Sequence, residues 1–294
     1  MNDHISVKGA LIHSFKRHLS VICFVSVFAA LVIIAAVIPS VRHYISGVWN
    51  NPERMAAFPE DPQIHYENGA SDYAGYVAGI LPNCIAQVEA MQGRPFAHPV
   101  TIGVYITKEA YAAANGTGNS NAAGTSFMGH ILLSPDLYND QRQRMSAILT
   151  HELSHAHLQG WIPTLKYFNI PNWFKEGLAV MVSGGGGAER IREEDALNAI
   201  RKGDHILMET KGSLFHLSGI VFEHAADESV PPQMPYKQAG MFVAYLRDRN
   251  KEGFKTVLSE LLSGQSFENA LFAGFDTNLG ALWSDYEAAV NSSQ

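Results

Sequence analysis

His151-Glu152-Leu153-Ser154-His155 places two imidazoles four positions apart, with a carboxylate beside the first. On a helix, residues four apart lie on one face, one turn from each other, so both rings can reach one ion. Glu176 follows 21 residues after His155 and is available as a third donor from a second helix. Three protein ligands leave a fourth position of a tetrahedral zinc open for water, the pattern of a catalytic site rather than a structural one. Glu152, at the edge of the same helix face, is placed to take a proton from that water. The chemistry these types and spacings point to is hydrolysis by zinc-activated water. Thirteen His in 294 residues make an accidental H-E-x-x-H a real alternative, so context has to decide.

The elements that must hold these residues are legible around them. From Asn139 to Thr150 there is no Gly or Pro, and Met145, Ile148, Leu149 and Leu153 follow helical spacing. The motif therefore falls in an amphipathic helix, capped by Asn139 or Asp140 and ended by Gly160 and Pro163. Pro171-Asn172 starts a second, apolar helix from Trp173 to Val182, ended by Gly184–Gly187. A Glu within that apolar stretch needs a partner, because burying an unpaired carboxylate is costly. The plainer alternative for Glu176 is a salt bridge to Lys175 or a solvated face. His157, two residues past His155, faces another way and is read as a non-ligand.

H-E-x-x-H followed by Trp173-Phe174-Lys175-Glu176-Gly177-Leu178-Ala179 resembles the gluzincin metallopeptidases, also called peptidase MA-like. The closest likeness is to aminopeptidase-N-like and thermolysin-like catalytic domains, whose W-x-x-E-G-x-A pattern the second segment matches. The resemblance implies zinc bound by His151, His155 and Glu176, with Glu152 as general base. It extends more loosely over residues 99–290. The G-x-M-E-N motif of aminopeptidases is absent. Val180 stands where thermolysin-like enzymes carry an Asp that orients a ligand His, so that partner must come from elsewhere. Relatives donate to the oxyanion from a Tyr or His of the helical half. Tyr236 is the candidate, with His216 and His224 as alternatives. The resemblance also makes Thr125–Leu132 an edge strand for the substrate backbone, against the plain reading of an ordinary edge.

The net charge of −7 argues against a nucleic-acid binder. Leu19–Ile38 is an apolar run of 20 residues, about 30 Å as a helix, which matches a bilayer core. It reads as an uncleaved signal anchor after a cytoplasmic tail of residues 1–18. The remainder would lie on the extracytoplasmic side, periplasmic or extracellular. A cleaved signal peptide is the rival reading, but no small-residue pair follows the run. Cys84 is left alone and packs as a small apolar residue.

Residues 39–70, with Pro39, Pro52, Pro59 and Pro62, read as a linker, and residues 71–294 as the catalytic domain. Helical spacing runs over 72–92, with a kink expected at Pro82. Strands are expected over 99–107 and 127–134, a short helix over 108–114, and a flexible, cleft-gating loop over 115–124. His130 on the second strand is a possible cleft residue. Helices are expected over 188–202, 236–249, 252–263, 266–273 and 278–291, with 203–235 irregular. The fold expected is α+β and zincin-like, a small mixed half followed by a helical half, after one N-terminal transmembrane helix. The function expected is a membrane-anchored zinc peptidase acting on peptide or protein substrates. The competing readings are an inactive, membrane-anchored binding or assembly module and a zinc hydrolase acting on non-peptide bonds.

Overall fold

The computed structural model describes residues 23–24, 26–27, 37–212, 220–223 and 230–292. They pack as two compact units. The first takes the residues up to Asn51 together with Ala112–Asn119. It contains helix α1 (Pro39–Trp49) and a loop in which Asn115 Oδ1 accepts from the N–H groups of Thr117 and Gly118. The segment expected as a flexible gate is thus organised by its own side chains as far as Asn119. Most of the apolar run at residues 19–38 lies outside the described residues. Among the described residues no helix is long and apolar enough to cross a membrane, so the expected transmembrane helix has no structural support.

The second unit holds Pro52–Tyr111 and the chain from Ser120 onward. Strands β1 (Ala56–Phe58), β2 (Asp61–Tyr66), β3 (Thr101–Val104), β4 (Gly124–Phe127) and β5 (His130–Leu133) form one mixed sheet in the order β1-β2-β3-β5-β4. β2, β3 and β5 run parallel, while β1 and β4 close the two edges antiparallel. Ile64, Ile102, Val104, Ile131 and Leu133 are fully buried, as apolar central strands require.

Two expectations are corrected here. Residues 39–70 are not a linker: they supply α1 and two of the five strands. The prolines that suggested a linker fit, because Pro59 sits between the strands and Pro62 precedes the β2–β3 pairing, which starts at Ile64↔Ile102. The single strand expected over 127–134 is a hairpin. Met128 and Gly129 both take positive φ between β4 and β5, the two-residue turn whose twist suits a hairpin.

Helix α2 (Ser71–Gln92) crosses from β2 to β3 and continues as one element through Pro82. Its Cys84 is buried, with Sγ 3.5 Å from Ser146 Oγ. Helices α3 (Lys108–Ala114) and α4 (Pro135–Asn139) are short. α5 (Met145–Trp161) carries the H-E-x-x-H residues and starts later than its expected caps, after a 3-10 turn at Arg142–Arg144. Then come α6 (Thr164–Phe168), α7 (Asn172–Val182), α8 (Glu193–Arg201), α9 (Met234–Arg249), α10 (Lys251–Leu262), α11 (Phe267–Phe275) and α12 (Leu279–Ser292). The stretch expected to be irregular contains a small antiparallel pair, β6 (His205–Ile206) and β7 (Phe222–Glu223). The order is a mixed α/β part followed by a mainly helical part, so the class is α+β.

Candidate metal centre

α5 is not amphipathic. Every residue from Ile148 to Leu158 is buried. Each buried polar side chain there therefore needs an internal partner. Ser154 Oγ accepts from Gln92 Nε2 at 2.6 Å, and His157 Nε2 lies 2.8 Å from the Arg94 carbonyl. His157 also stacks edge-on against Phe96, so it serves packing rather than a metal. Glu152 is hydrogen-bonded by the Ser126 backbone on β4, the edge strand. Of the histidines, His151 and His155 turn instead to Glu176.

Their donor atoms form a nearly equilateral triangle. His151 Nε2 and His155 Nε2 are 3.2 Å apart. Glu176 Oε2 lies 3.3 Å from the first and 3.4 Å from the second. Zinc bonds of about 2.0–2.1 Å in tetrahedral geometry separate neighbouring donors by roughly 3.3–3.4 Å. The three residues present therefore fit a zinc ion without rearrangement, and among the described residues they are the one such group. Two imidazoles and a carboxylate also suit zinc better than calcium or magnesium, which prefer all-oxygen shells.

Two features of α7 deliver Glu176. Trp173 anchors the helix through its Nε1, which donates to the Glu209 carbonyl, and through rings packed against Phe174, Phe242 and Phe267. Gly177, the next residue after Glu176, lets α9 approach: a Cβ there would lie 2.5 Å from the Ala239 carbonyl oxygen. Gly240 of α9 faces Val180 just as closely. This crossing brings the first turn of α9, with Tyr236, to the site. Lys175 does not pair with Glu176 as the plain alternative had it. Its Nζ turns over the Tyr167 ring, 4.7 Å from the centroid. Burial lowers its pKa to about 8, despite the Glu176 charge, which acts to raise it.

The partner that orients His151 is the carbonyl of Gly186, 2.9 Å from Nδ1. This bond leaves Nε2 free to face the metal position. The run Ser183–Gly187 looked like a helix stop and is more than that. Gly184, Gly185 and Gly187 take positive φ, and Gly186 lies flat against the Ala147 carbonyl, with no room for a Cβ. Four consecutive glycines were the only signal for this wrap in the sequence. Val180 is buried against Gly240 and offers no acid. His155 Nδ1 is buried with no partner among the described residues.

The electrostatics suit a cation. Burial opposes protonation of His151, but the Glu176 hydrogen bond, the charges of Glu152 and Glu176, and the Gly186 carbonyl outweigh it and lift its pKa to about 9. Glu176 is pushed up by burial, yet the two imidazoles hold it well below the usual carboxylate range. Glu152 is raised by burial, partly offset by His151 and His155. A buried and a half-buried carboxylate that draw a proton onto an imidazole attract a divalent cation for the same reason.

Two tyrosines surround the carboxylates. Tyr236 is half-buried, and burial, then the charges of Glu176 and Glu152, push its pKa up, so its hydroxyl stays a donor. Tyr167 on α6 is buried within the same field and hydrogen-bonds Gln159. Nothing in the sequence around Tyr167 marked it. His216 and His224 lie outside the described residues. His130 belongs to a different neighbourhood: burial lowers its pKa, and Glu53 and His65 are the charges it feels.

Comparison with protein-family models, with curated proteins and with solved structures finds no match to this chain.

Proposed function

We propose that this chain is a zinc-dependent peptidase of the gluzincin type, with His151, His155 and Glu176 as ligands. The observation that carries the reading is the donor triangle of 3.2–3.4 Å with Glu152 held beside it. Zinc bound there supplies Lewis-acid polarisation of a carbonyl and acidifies water. The protein does the rest. Glu152, with its pKa raised by burial, accepts the proton of the attacking water and returns it to the leaving amine nitrogen. The N–H of Ser126 fixes its orientation. Tyr236 donates its hydroxyl to the oxygen on which negative charge develops. β4 is an edge strand beside Glu152, where an extended substrate backbone can add to the sheet.

The direct test is Glu152→Gln. Zinc stays at one per chain, and cleavage of a quenched-fluorescence peptide library falls by about 10²–10⁴-fold. Undiminished hydrolysis removes Glu152 from the mechanism. Purified chain that holds no zinc and takes up none on dialysis removes the metal centre.

A further inference from the structure

A second feature lies away from the metal centre and does not depend on the hydrolase reading. Between the last turn of α2 and one face of α10 runs a groove of about 370 Å³. That is within the range of small-ligand sites, roughly 300–1,000 Å³. Its floor is apolar: Met91 from α2, and Phe254, Leu258 and Leu262 at helical spacing along α10. Its rim carries Arg94, Arg247, Lys251 and Lys255. Among the described residues no carboxylate lines it. Four cations converging on one groove run against the sign of a chain with net charge −7.

The cations are available. Arg247 pairs with Asp248 at 2.8 Å and Lys255 with Glu252 at 2.7 Å, but both are surface pairs whose acids lie outside the groove. Such pairs contribute little and exchange readily. Arg94 lies over the Trp161 ring at 4.7 Å, which holds the guanidinium in place. Neither wall is a strand: the lining comes from the end of α2, the two residues after it, and α9 and α10. The groove therefore offers no strand edge to pair with a peptide main chain. What it offers is a narrow apolar floor about 12 Å long, from Phe254 to Leu262 at 1.5 Å per residue, under a positive rim.

We infer that this groove binds a single-chain amphiphile with an anionic head, as a free molecule. The tail lies against Met91 over the buried floor of Phe254, Leu258 and Leu262, and the head is held by Lys251, Lys255, Arg247 and Arg94.

The probe is decanoate below its micelle concentration, measured by equilibrium dialysis against the full chain at low ionic strength. One saturable site per chain is expected. The exposed double variant Lys251→Glu/Lys255→Glu should weaken it at least tenfold. Ser259→Trp, at an exposed lining position, should block it with the cations intact. Decyltrimethylammonium, with the same tail and the opposite charge, should show no saturable site. Three results overturn the inference: unchanged decanoate affinity in both variants, equal affinity for the cationic analogue, or charge-dependent binding to anionic vesicles without any saturable decanoate site. The last outcome marks a membrane-facing surface rather than a ligand groove. Circular dichroism of the variants checks that the fold is kept, and zinc content reads the metal centre independently.

Discussion

The candidate metal centre and the α10 groove gather charged groups in opposite ways. At the centre, the polar side chains of α5 are buried and Glu176 of α7 is half-buried, and they are tied to one another or to backbone: His151 to Glu176 and Gly186, His155 to Glu176, Glu152 to Ser126. At the groove, the charged side chains are of one sign, and Arg247 and Lys255 lean on acids that can be exchanged for solvent. The difference follows from dielectric. A charge removed from water must find an opposite charge or a hydrogen bond, so its partners are specified. A charge left at the surface needs none, and its placement is cheap. A buried polar cluster therefore carries far more positional information than a rim of lysines.

The contrast predicts a graded series of effects. Glu176→Ala should be the most severe at the centre. It removes one corner of the triangle, and zinc measured by atomic absorption should fall from one per chain to near zero. Retention of the ion would detach Glu176 from the ligand set.

Gly186→Ala comes next. A methyl there meets the Ala147 carbonyl and displaces the acceptor of His151 Nδ1. Loss of such an orienting bond typically lowers metal affinity by about 10–100-fold. A competitive chelator titration reads this directly, and an unaltered affinity would make the glycine loop a mere connection.

Lys175→Met sharpens the comparison from the other direction, because Lys175 is buried without a paired acid. Its folded pKa of about 8 is below the ordinary 10.5. Folding is therefore penalised in full below pH 8, and the penalty fades as pH rises from 8 towards 10.5. At ~1.4 kcal/mol for each tenfold change in proton affinity, the variant should gain up to about 3 kcal/mol at pH 7. The gain should close near pH 10.5. Urea denaturation at pH 7 and pH 10 distinguishes this from a plain packing effect, which would not vary with pH.

Lys255→Ala, at the groove rim, should change stability least. It breaks one exposed pair with Glu252, worth about 0.3–0.5 kcal/mol at most. A cost above 1 kcal/mol would mean that the rim is structural.

Much of the centre was legible in the sequence because its spacing is local. His151 and His155 share a helix face whatever surrounds them, and Trp173–Ala179 reads as a short apolar helix with one carboxylate. The alternation of helices after residue 234 was equally plain. The strands at 56–66 were missed because four prolines suggested a linker, and a proline in a turn or ahead of a pairing register looks the same in sequence as one in a linker. The hairpin at 124–133 was merged into one strand because its turn residues, Met128 and Gly129, include only one of the usual turn formers.

The sequence alone determined which side chains are available as ligands and base in the proposed site, and the helix that carries His151, Glu152 and His155, since these follow from a helical period and from what zinc chemistry requires. Tertiary structure decided the rest. Only packing shows that α5 is buried on every face from Ile148 to Leu158, that Gly177 and Gly240 bring Tyr236 to Glu176 and Glu152, that a glycine carbonyl stands behind His151, and that four cations share one groove. Each of these joins residues far apart in the chain. Such contacts are fixed by which surfaces exclude water together, and no local pattern encodes that.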